Sequence, residues 1–137
     1  MARWTPKQIL IGTIVAAAML ECLGWATGTF YNWILRDANF FGPPPTAVEV
    51  SVNTQFALIV SSMLVLNVAA TVAFIFRNAG YGRLVLAAVE GCDIVATIVL
   101  IDVRGTSPLW TSVLIGAAPV LTLLLLAILW RASPQRA

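Results

Sequence analysis

The chain contains no histidine and just two cysteines, Cys22 and Cys92, which do not form a C-x-x-C pair. A zinc site or a histidine-ligated haem therefore lacks its ligands, and neither a disulfide scaffold nor a thiol redox motif is supported. Charge is scarce too. Eight Lys and Arg stand against six Asp and Glu, a net +2 spread thinly along 137 residues. That is too little and too dispersed for a nucleic-acid surface. At 10% charged and 60% hydrophobic the composition is also far from that of a soluble domain, where roughly a quarter of residues carry charge.

What is abundant is long apolar sequence, in four segments: Ile9–Trp33, Phe56–Phe76, Leu84–Ile101 and Leu109–Trp130. The shortest, the third, still covers about 27 Å as a helix, close to the hydrocarbon thickness of a bilayer. Because the segments are apolar nearly all round, they predict an all-α, four-transmembrane-helix bundle in a single domain, with helices over about 8–35, 47–76, 84–102 and 108–130. Glu21 and Trp25 interrupt the first segment where a cleaved leader would want apolar and small residues, so it is read as a retained helix. Arg3, Lys7, Arg77, Arg83, Arg131 and Arg136 fall on one side, against Arg36 and Arg104 on the other. Positive charge stays inside, which predicts an integral protein of the cytoplasmic membrane with both termini inside and one long outer loop between helices 1 and 2.

That loop carries Phe40-Phe41-Gly42-Pro43-Pro44-Pro45, stiffened by its prolines, with the two phenylalanines placed to dip into the membrane surface or cover the bundle. After it, Val48–Val52 alternates like a strand. Thr46-x-x-Glu49 directly after proline is however a capping box, and a helix from Ala47 is expected. Asn78–Gly82 reads as a tight turn making helices 2 and 3 antiparallel neighbours. Ser107-Pro108 reads as the N-cap and first position of helix 4, and Gly116 with Pro119 suggests a kink. The nearly all-aliphatic run from Leu121 to Leu129 makes helix 4 the helix expected to be most exposed to lipid.

Three acids sit where acids are costly, at about 2.5–3.5 kcal/mol each by insertion scales: Glu21, Glu90 and Asp93. Glu21 lies 14 residues from Lys7 and 15 from Arg36, at the midplane of helix 1. At 100° per residue Ala17, Gly24, Gly28 and Asn32 share its face, with Ala18 and Trp25 on the flank, and Gly24-x-x-x-Gly28 reads as a packing groove. On helix 2 Glu49, Asn53, Asn67 and Thr71 form a polar stripe. On helix 3 the stripe is Arg83, Ala87, Glu90, Asp93, Thr97 and Arg104. Arg83 is about 10 Å along the axis from Glu90, too far to pair readily with it. Burial without a cation favours the neutral acid, so at neutral pH at least one of the three is expected to be protonated, with Glu90 and Asp93 titrating as a coupled pair.

These acids are the candidates for proton carriage or acid–base work. Trp25, Asn67, Thr71 and Thr97 are the candidates for contact with a small lipophilic or cationic substrate; no cofactor or metal is expected. The first expectation is a transport- or channel-type protein. In length, helix count and a mid-membrane glutamate in helix 1 the chain resembles the small multidrug resistance transporters, which implies exchange of a proton for a cationic substrate; four helices need at least a dimer to enclose a path, and the long outer loop and the acids on helix 3 depart from that pattern. The alternative is a membrane-embedded acid–base enzyme opening an epoxide or protonating an alkene, similar to membrane terpene cyclases in using acids alone, with Trp25 facing a cation. A third reading makes the chain an accessory subunit whose acids pair with a cationic helix of a membrane partner, and buried polar networks also serve simply to fix helix packing. The lipid bilayer is the expected partner in each case, and nucleic acid in none.

Overall fold

The computed structural model describes residues 4–38, 42–77, 80–104 and 109–132, with backbone alone between 100 and 115. It is all-α: α1 (Pro6–Ile34), α2 (Ala47–Arg77), α3 (Tyr81–Arg104) and α4 (Leu109–Arg131), with no strand among the described residues. Among the described residues, α1 and α2 are long and apolar enough to cross a membrane.

Local chemistry sets the helix starts. Thr5 and Gln8 form a reciprocal capping box around Pro6 at the first helical position, satisfying donors that the first turn leaves orphaned. The Thr46 N–H donates to Glu49 Oε2 at 2.7 Å and the Glu49 N–H returns to Thr46 Oγ1 at 3.3 Å. The capping box thus prevails over the strand-like alternation of Val48–Val52. α3 begins at Tyr81, earlier than its apolar run suggests. Gly82 accounts for this, because a Cβ there would stand 2.5 Å from the Ala73 carbonyl oxygen and 2.6 Å from that of Arg77. It is a helical residue on which α3 lies against α2, where the sequence suggested a turn residue.

Each helix packs on its chain neighbours, and α1 also packs on α4, closing a four-membered ring. One apolar cluster joins Ile14 and Ala18 of α1, Ala70 and Phe74 of α2, Leu86 and Val89 of α3, and Leu126 and Leu129 of α4. Because it unites the first halves of α1 and α3 with the second halves of α2 and α4, the helices alternate in direction. Toward the other end Trp25 packs with Val60 and Met63, and Leu64 and Ala96 close on them. Buried positions recur at spacings of three and four: Ile14, Ala18, Glu21, Trp25 on α1; Val60, Met63, Asn67, Ala70, Phe74 on α2; Leu86, Glu90, Asp93, Thr97 on α3; Pro119, Thr122, Leu126, Leu129 on α4. This is the seven-residue period of left-handed helix packing.

One expectation about faces changes. On α1 the buried flank is that of Ala18 and Trp25, while Gly24 is exposed and a Cβ on it would touch nothing; Gly28 does meet α2, at Val60. On α4 Thr122, Leu126 and Leu129 are buried while Leu121, Leu124 and Ile128 are exposed, so the helix has an inner and an outer face. The helix continues through Pro119, itself fully buried. Phe40 and Phe41, Ser107 and Pro108, and the side chain of Arg104 lie outside the described residues.

Hydroxyls within the apolar segments are largely satisfied on their own helices: Thr13, Thr27, Thr54, Ser61 and Ser62 each donate to the carbonyl four residues back. Where no water is at hand this is the simplest way to keep such a group paired. At the rim beyond α1, Arg36 lies over the Trp33 ring and donates to both oxygens of Asp37, at 2.9 and 3.0 Å from Nε. Those hydrogen bonds hold the Asp37 carboxyl below the usual carboxylate range. The pair is exposed and contributes little to stability.

Candidate functional site

Between the two apolar clusters lies a polar layer. Glu21 of α1 and Glu90 and Asp93 of α3 converge there, each offering a carboxylate oxygen within 4.8 Å of the others. Glu90 and Asp93 are fully buried and Glu21 nearly so. α1 and α3 are diagonal in the ring, so their acids meet across its axis: a carboxyl side chain is long enough to reach where the backbones do not. The i,i+3 spacing of Glu90 and Asp93 places both on the inner face of α3.

The layer is completed from the other two helices. Asn67 of α2 donates through Nδ2 to Asp93 Oδ1 and to its own helix at Met63 O, both at 3.0 Å. Those two acceptors fix which end of the amide is nitrogen. Thr122 of α4 donates to Glu21 Oε1 at 3.1 Å. Trp25 turns its indole toward Asp93 from the next turn of α1. Several oxygens are left without a hydrogen-bond partner: Glu21 Oε2, both oxygens of Glu90, Asp93 Oδ2, Asn67 Oδ1 and Thr97 Oγ1. Since buried polar groups are normally paired, this concentration marks the layer as chemically unfinished. Two facing carboxyls can bond to each other when one of them carries a proton.

The sequence candidates thus separate. Glu21, Glu90, Asp93, Asn67 and Trp25 come together. Thr71 is buried one turn from Asn67 but faces Cys22, its Oγ1 lying 3.7 Å from Cys22 Sγ. Thr97 packs its methyl toward α4 at Gly116 and has no hydrogen-bonding role in the layer. Arg83, at the start of the α3 stripe, is buried two turns from Glu90. Thr122 was missed by reading the sequence; its one signal is to be the lone polar residue between Leu121 and Leu129. Among the described residues Glu21, Glu90 and Asp93 are the group close enough to share an ion, and an all-oxygen set suits a hard cation far better than zinc.

Two open clefts lie at the ends of the molecule and contain none of the acids. One is bounded by Tyr31, Asn32, Leu35 and Asn53, the other by Lys7, Leu10, Ile128 and Leu129 among others. Comparison with protein families, curated proteins and solved structures finds no match for the chain.

Proposed function

We propose that the chain is a small integral membrane protein of transport or channel type, a four-span bundle whose buried carboxyls bind and release protons. The observation that carries the reading is the convergence of Glu21, Glu90 and Asp93 in one buried layer. The distribution of side chains supports a lipid surround. Glu90, Asp93, Asn67 and Thr122 are shut inside while Phe76, Leu20 and Val65 are 78, 67 and 66% exposed. A bundle dissolved in water would have that arrangement reversed. The basic residues at the ends of α1, α2 and α4 then orient the bundle with both termini inside, in the cytoplasmic membrane.

The acids face one another closely enough to exchange a proton, each offering an oxygen within 4.8 Å of the others, which favours proton handling over acid–base work on a lipophilic substrate. A continuous path to either surface requires the helices to part or a second copy to complete it. The test is proton flux into liposomes of the purified protein, driven by a pH gradient with the membrane potential clamped. The expected result is flux above protein-free vesicles that returns to their rate in Glu21→Gln and Glu90→Gln. Equal flux with and without protein, or flux indifferent to both substitutions, overturns the reading.

A further inference from the structure

The three acids have different partners, and the difference divides their roles. Asp93 accepts a hydrogen bond from Asn67 at 3.0 Å and has the Trp25 indole beside it. Glu21 accepts one from the Thr122 hydroxyl at 3.1 Å. Glu90 receives none, although it is fully buried and has two oxygens to satisfy. Donors stabilise a carboxylate, and a carboxyl without donors in an apolar interior is satisfied most simply by carrying its own proton.

We propose that Glu90 is the group that holds the proton, sharing it with Glu21 across the bundle axis, and that Asn67 and Thr122 are positioning residues that keep Asp93 and Glu21 as acceptors. The inference rests on the carboxyl-layer reading above and adds which acid is the carrier. The groups facing Glu90 are consistent with it. From α1 they are Glu21 and Cys22, and from α3 Asp93. The layer residues described from α2 and α4, Asn67 and Thr122, bear no charge, nor does Thr71, which faces Cys22. Arg83 is seven residues down α3, about 10 Å along the axis. With Glu90 neutral, the proton bridges α1 and α3. Once it leaves, two carboxylates face each other in a dry interior and the helices are driven apart, so proton occupancy is coupled to the packing of the diagonal pair.

The test is infrared difference spectroscopy of the protein in lipid nanodiscs at neutral pH, reading the carbonyl band of a neutral carboxylic acid. In the native chain the band should shift when glutamate is supplied as carbon-13 and stay when aspartate is; Glu49 is at the exposed start of α2, so such a band belongs to Glu90 or Glu21, and the Glu90→Gln variant separates them, a band that persists there overturning the assignment. This needs no variant and survives any folding defect. Glu90→Gln should abolish the band and Asp93→Asn should keep it. Asn67→Leu should add a second neutral-acid band from Asp93, which a merely structural role would not produce, and Asn67→Gln should suppress it. A band that follows aspartate labelling, or that is removed by Na⁺ or Ca²⁺ at constant pH, overturns the assignment; the second outcome gives the site to a metal ion. Flux that depends on the acids while the band belongs to aspartate sinks this assignment alone. A glutamate band without flux sinks the transport reading alone.

Discussion

Thr122 and Thr27 show how one residue type takes two roles on apolar helices. Thr27 is exposed and donates to its own helix at Leu23 O, 2.8 Å away, whereas Thr122 is fully buried and donates to Glu21. Replacing Thr27 by Val removes a bond that helps no neighbour, so the stability of the folded protein in detergent should barely change. Thr122→Val strips Glu21 of its donor and should cost about 0.6 kcal/mol and at most about 1.7, the average and the maximum for interhelical hydrogen bonds in a membrane protein. Equal effects in an SDS unfolding titration would mean that the layer is not energetically coupled to α4. The contrast could not be seen in the sequence. Both are threonines on largely apolar helices, and what separates them is which way each faces.

At the scale of the element, glycines divide in the same manner. Gly82 lets α3 begin against the last turns of α2, and a methyl group there would collide with two backbone oxygens at 2.5 and 2.6 Å. Backbone cannot yield cheaply, so Gly82→Ala should lose about 1–3 kcal/mol, the usual cost of overpacking. Gly24→Ala meets open space and should be neutral or stabilising by up to about 1 kcal/mol through helix propensity. The SDS titration distinguishes them, and a reversed order would contradict the described contact of α2 with α3. Much at this level was legible: the Thr46–Glu49 box, the inward stripe of Glu90 and Asp93, and the number of helices follow from local pattern. The flank of α1 that is buried did not follow. A helical wheel finds the face around Glu21, yet whether Gly24 or Trp25 turns toward the axis depends on which side α2 and α4 occupy and on the slow drift of a seven-residue seam. The α1 sequence holds neither.

For the whole molecule, we propose that the acid layer lies within a lipid-surrounded bundle. Cys92 is a built-in probe of it. It neighbours Asp93 at the same level of α3 but points outward, exposed on the surface of the isolated chain. If lipid covers that surface, its thiol has neither water nor a route to the reactive thiolate. The decisive measurement is labelling of the Cys22→Ala protein, in which Cys92 is the remaining thiol, by a small water-soluble maleimide in intact membranes and again after dissolution in SDS. No labelling in membranes and full labelling in SDS are expected. Labelling in intact membranes at the rate of a free aqueous thiol would place this level of α3 in water and contradict the account.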